Sequence, residues 1–163
     1  MSLLRKRTSF LVRCALTAAL YAALSILFAP ISYGPVQIRI SEALCVLPYF
    51  TSAAIPGLFI GCVIANFYAG LVWADVLFGS LATLAAAAMS YLLRNYRFLV
   101  PFPAFLINTA AVPLILRFGY MADEAIPFMM LTVGAGELVS CYILGLPLLF
   151  ALEKAKCFPK NGR

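Results

Sequence analysis

A succession of long apolar runs, each interrupted by only a few polar residues, limits the folds open to this chain more than any other feature. The runs fall at about residues 10–28, 39–50, 55–68, 73–93, 99–116 and 125–152. A helix that crosses the hydrocarbon core of a bilayer needs roughly 20 residues. The expectation is an all-α membrane protein of six short transmembrane helices, with residues 1–163 forming one integral membrane domain. Composition agrees: 64% of residues are hydrophobic and 11% charged, against about 45–50% and about 25% in a soluble domain. No stretch is left for a soluble nucleotide-binding domain, and no phosphate-cradling GxxxxGK[ST] loop occurs. The first run is long for a signal peptide and is followed by more membrane sequence, so it reads as an uncleaved helix.

The charges orient the bundle. Arg5, Lys6, Arg7 and Arg13 open the chain, Arg94 and Arg97 mark the loop after the fourth run, and Lys154, Lys156, Lys160 and Arg163 end it. Six crossings put all three groups on one side. The other side holds Arg39 and Arg117 together with Asp75, Asp123 and Glu124. Basic residues collect on the cytoplasmic side of membrane proteins, so both termini are expected in the cytoplasm and the first, third and fifth loops outside, in a plasma-membrane location.

The same distribution accounts for the net charge of +6 without nucleic acid, because no basic face with stacking aromatics accompanies it. The five cysteines, Cys14, Cys45, Cys62, Cys141 and Cys157, show no CxxC spacing. Neither a disulfide framework nor a metal centre is expected. The chain has no histidine, which removes the usual proton shuttle and the Ser-His type of catalysis. No enzyme activity and no cofactor are expected. No internal repeat of the secondary-transporter kind is visible.

Ionisable residues inside a membrane segment mark functional sites by default, and here they converge. Arg39 and Glu42 begin the second helix, Asn66 and Tyr68 end the third, and Trp73 and Asp75 begin the fourth, all at the outward end. Asn108 and Glu137 lie near mid-depth in the fifth and sixth. Together with Tyr33 in the first loop, they outline a polar cavity opening outward. Each has a plainer reading. Arg39 and Glu42 can pair across one helical turn, and Asp75 can complement a helix dipole. Tyr33, Tyr68, Trp73 and Tyr120 can belong to an interfacial aromatic belt, and the asparagines can join helices. Glu137, a carboxylate at mid-depth, needs a partner, a proton or a ligand. Carboxylates, amides and rings in one cavity suit a flat, donor-rich heterocycle.

Two features carry a family resemblance. In the first helix Ala15, Ala19 and Ala23 recur every four residues, a small-residue row of the kind that admits another helix. The segment Gly34-Pro35-Val36-Gln37-Ile38-Arg39-Ile40-Ser41-Glu42-Ala43-Leu44, followed by Leu47-Pro48, is the more specific feature. The chain resembles the substrate-binding S component of energy-coupling factor (ECF) transporters, and within that group the QueT family, assigned to queuosine precursors. The resemblance implies a subunit that binds a 7-deazaguanine from outside: the 7-aminomethyl or 7-cyano compound, or queuine. It also implies that the first loop, about residues 30–38, covers the ligand. The implied partners are a transmembrane coupling subunit, docked on the alanine row, and two ABC-type ATPases. Arg39 and Glu42 fall within the family segment. On chemical grounds Glu137 with Asn108 suits the guanine-like edge, and Asp75 or Glu42 an aminomethyl group. The alternatives are an S component for a pterin, a thiamine precursor or another vitamin, and an autonomous channel or proton-coupled carrier using Glu137.

Overall fold

The structure is a computed structural model and describes residues 2–32, 38–70 and 72–156. The described residues are helical, without strands. In chain order they form α1 (Ser2–Leu27), the short α2 (Ala29–Ser32), a 3-10 helix (Ile40–Tyr49) and α3 (Ala54–Tyr68). A wide π turn (Asp75–Gly79) leads into α4 (Ser80–Leu92), and a 3-10 turn (Arg97–Leu99) precedes α5 (Phe102–Gly119). The last span comprises α6 (Ile126–Glu137), a second π turn (Leu138–Leu144) and α7 (Gly145–Lys154). Among the described residues, four continuous helical stretches are long and apolar enough to cross a membrane: Leu4–Leu27, Asp75–Leu92, Arg97–Gly119 and Ile126–Lys154. Ile40–Tyr49 and Ala54–Tyr68 are shorter apolar helices.

The second helix departs most from expectation. A regular helix bent at Pro48 is expected over residues 39–50, whereas the chain forms a ten-residue 3-10 helix. Runs of that geometry beyond three or four residues are uncommon, so surrounding packing must hold it. Ser41 through Pro48 are all buried, with α1, α3, α4 and the last span packed around them. Three residues per turn sort the side chains into straight rows. Ser41, Leu44 and Leu47 face α1 and α3, where Leu44 and Leu47 join Tyr21, Ala54, Leu58 and Cys62 in one apolar cluster. Ala43, Val46 and Tyr49 face the last span. A Cβ on Gly145 would lie 3.3 Å from the Val46 side chain and 3.4 Å from the Ala43 carbonyl. Glu42 and Cys45 form the third row; Cys45 enters a second cluster with Ala86, Val100, Ala104, Cys141 and Leu149. At about 2.0 Å rise per residue the helix is roughly 20 Å long, short of the roughly 30 Å hydrocarbon thickness.

α1 and α3 pack through backbone proximity. A Cβ on Gly57 would come within 2.7 Å of the Thr17 Cβ, and one on Gly61 within 2.8 Å of the Ala18 carbonyl. Lipid gives apolar helices no hydrophobic reason to associate, so close backbone packing of this kind supplies the attraction. Thr17, Ala18, Tyr21, Ala22 and Ser25 form the buried face of α1. Ala15, Ala19 and Ala23 lie exposed on another face.

The remaining differences are local. Helix α1 begins at Ser2 rather than near residue 10, and α2 lies within the expected first loop. Both wide turns fall inside spans expected to be regular, at Asp75 and immediately after Glu137.

Candidate ligand-binding site

The first side of the site comes from α1. Tyr21, 2% exposed, donates its hydroxyl to Glu42 Oε1 at 2.5 Å. One turn on, the Ser25 and Ser41 hydroxyls share a hydrogen bond of 2.7 Å. α1 thus grips the start of the 3-10 helix at two successive side chains and fixes Glu42 in rotation.

α5 and α6 supply the second side. Asn108 donates its amide to Glu137 Oε1 at 3.2 Å, and the Cys141 thiol donates to Glu137 Oε2 at 3.2 Å. Glu42, Glu137 and Cys141, all buried, each place a ligand-type atom within 4.8 Å of the others. Two buried carboxyl groups this close cannot both stay charged unless donors, a cation or a shared proton offset the repulsion. Tyr21, Asn108 and Cys141 provide part of that compensation. The set mixes two hard carboxylate oxygens with one soft sulfur, which matches neither a hard-cation nor a soft-metal site cleanly, and hydrogen bonds already engage these groups.

A second polar group sits at the start of the 3-10 helix. Arg39 and Asp75 form an ion pair at 4.0 Å, with side chains only 8% and 6% exposed. Tyr120 donates to Asp75 Oδ2 at 3.1 Å and accepts from the Val72 N–H at 3.3 Å. Burial, and then the Asp75 carboxylate, push the Tyr120 hydroxyl up to about 12, so it remains a donor at physiological pH. Asp75 Oδ1 is buried and has no hydrogen-bond partner among the described residues. Asn66 donates to the Asp75 carbonyl at 3.2 Å and holds the wide turn against α3.

Of the residues singled out in the sequence, Arg39, Glu42, Asn66, Asp75, Asn108 and Glu137 are all buried. Glu42, Asn108 and Glu137 meet in one cluster, Arg39 and Asp75 in the neighbouring pair, and Asn66 serves as inter-helix glue. Arg39 reaches Asp75 across the bundle, and the tyrosine on α1 takes Glu42. Tyr68 and Trp73 are not brought into either group; they are 72% and 74% exposed. Trp73 packs edge-on against Phe67 at 6.4 Å, as a belt aromatic would. Tyr33 and Gly34 through Gln37 lie outside the described residues. Sequence reading missed Tyr21 and Cys141. Both had a signal: Thr17, Tyr21 and Ser25 form a polar row at four-residue spacing, and Cys141 lies four residues after Glu137.

The family model described as QueT transporter matches residues 11–154. A protein of Lactococcus lactis subsp. cremoris (strain MG1363), described as "Queuosine precursor transporter QueT", is 38% identical over 91 residues. The alignment covers 55% of this chain and 53% of the relative, so the chain spans about half the length of the curated relative it matches. No solved structure matches the chain. With the family match running from α1 to the end of α7 and the apolar helices between them, this multi-pass membrane protein belongs to the QueT transporter family.

Proposed function

We propose that the chain is the substrate-binding component of an ATP-driven ECF-type importer and that its ligand is a 7-deazaguanine. The observation that carries this reading is the buried cluster of Glu42, Asn108 and Glu137 in a chain of the QueT transporter family. Two carboxylates and an amide can meet the N–H-rich edge of a guanine-like ring. The surplus of acid over base around Arg39 favours a cationic aminomethyl substituent. The relative's description as a queuosine precursor transporter supports the same ligand class.

In the proposed topology the chain crosses the membrane six times with both termini cytoplasmic, and the Arg39 end faces outward. The shortness of the 3-10 helix supports a cavity there, because Arg39 and Glu42 then start below the membrane surface. The first loop is proposed to cover the ligand. Energy comes from partners: a transmembrane coupling subunit and two ABC-type ATPases. The exposed row Ala15, Ala19 and Ala23 suits the coupling subunit, because its small side chains leave room for another helix.

Calorimetric titration of the purified protein in detergent with 7-aminomethyl-7-deazaguanine tests the ligand. Submicromolar binding is expected. Glu42→Gln should weaken it about 10- to 100-fold, since a hydrogen bond to a charged group contributes about 1.5–3 kcal/mol. Binding of a pterin or thiamine precursor, with none of any 7-deazaguanine, overturns the substrate class. Ala19→Trp should abolish co-purification with the coupling subunit while leaving ligand affinity unchanged.

A further inference from the structure

The mid-depth carboxylate has an unusual companion. Glu137 is the last residue of α6, and the wide turn Leu138–Leu144 begins directly after it. That turn packs directly against the 3-10 helix. It carries the Cys141 sulfur to 3.2 Å from Glu137 Oε2 and 3.9 Å from the Glu42 carbonyl oxygen. A thiol has one proton to donate, and the nearer acceptor is the Glu137 carboxyl oxygen. Asn108 on α5 holds the other oxygen, Oε1. Both oxygens of Glu137 are therefore held, one from a neighbouring helix and one from its own span, and the carboxylate plane cannot turn freely.

We infer that Cys141 is a positioning residue: its thiol fixes the Glu137 carboxylate in the orientation that meets the ligand. The inference rests on the proposed ligand site. Edge-on recognition of a flat heterocycle needs an acceptor plane held to within a small angle. Partners that orient metal-ligating side chains are commonly worth about 10- to 100-fold in affinity, and a partner that orients Glu137 acts on ligand binding by the same logic. Cysteine suits the position because it is a small apolar side chain that keeps a weak donor. Cys141 is wholly buried among Cys45, Val46, Ala86, Val100, Ala104 and Leu149. A residue with no donor would fill that space equally well but leave Oε2 free to swing.

Two variants separate donation from packing. Cys141→Ser retains a donor, whereas Cys141→Val fills the volume without one. With 7-aminomethyl-7-deazaguanine as the probe, the serine variant should bind within about threefold of the parent, and the valine variant about tenfold or more weaker. The valine variant should melt close to the parent. Parental affinity in the valine variant, or equal losses in both, overturns the inference.

A second measurement needs no ligand. The infrared S–H stretch of Cys141, isolated as the difference between the parent and Cys141→Ser, should lie at the lowered frequency of a donating thiol. It should rise in Glu137→Leu, where the more distant Glu42 carbonyl is left as a weaker acceptor. A band that does not move overturns the inference whatever the ligand proves to be. Failure of the parent to bind any 7-deazaguanine strikes instead at the proposed function and leaves the infrared result to decide the role of Cys141.

Discussion

The two ends of the 3-10 helix are each held by an arginine, a carboxylate and a tyrosine, yet the two sets are built for different work. At its start Arg39, Asp75 and Tyr120 meet, with the arginine and aspartate side chains almost fully buried. At its far end Tyr49 donates to Glu153 at 2.6 Å, and Arg97 lies 3.4 Å from the same oxygen, with the arginine side chain 49% exposed. Water and mobile ions reach the second set, so its charges are cheap to keep and contribute little. In the first set the two charged side chains have lost nearly all their solvent, while Tyr120 stays 37% exposed. The charges of this set persist because each is compensated by the others, and one oxygen of Asp75 has no hydrogen-bond partner among the described residues. A buried ion pair beside the Glu42 and Glu137 carboxylates is what the proposed recognition site would require. A half-exposed, well-bonded one belongs to a structural clasp.

Substitutions at matched positions break or sharpen this contrast. The largest expected effect is on stability. Arg39→Ala strands the buried Asp75 charge and should cost about 3–5 kcal/mol, whereas Arg97→Ala should cost about 1 kcal/mol or less. Thermal melting of the two variants in the same detergent measures both, and equal losses would erase the distinction. Replacing Arg39 and Asp75 together with apolar residues should restore much of the loss, because no unpaired charge remains. A smaller effect separates the tyrosines. Tyr120→Phe and Tyr49→Phe should each cost about 1 kcal/mol in stability, but only Tyr120→Phe should also lower ligand affinity. The smallest effect is that of salt. Screening reaches exposed pairs and not buried ones, so raising ionic strength should reduce the cost of Arg97→Ala and leave that of Arg39→Ala unchanged.

How far the sequence could be read depends on whether the deciding physics is local. Burial of Arg39, Glu42, Asn66, Asp75, Asn108 and Glu137 was legible, because polar groups inside apolar runs are expensive and must turn inward. The inward or outward sense of Tyr68 and Trp73 was not. Helices that are apolar all round give no rotational signal, and rings at a helix end suit a binding site and a membrane surface equally well. Tyr21 and Cys141 look like ordinary membrane-helix residues until another helix brings a carboxylate to them. Their spacing to Ser25 and to Glu137 hinted at a shared face without identifying what that face meets.

By itself the sequence determined that this chain lies in a membrane as a set of helices, and that a few charged and amide side chains had to collect inside it. Both follow from transfer free energies, which each segment carries wherever it sits. Only the tertiary structure decided that the central helix winds with three residues per turn. Helices packed on every side hold it there and sort Glu42 away from the leucine row. The tertiary structure likewise decided the partners, giving Tyr21 to Glu42 and Asn108 with Cys141 to Glu137. Those pairings join residues from different spans, and no property of one span reports the distance to another.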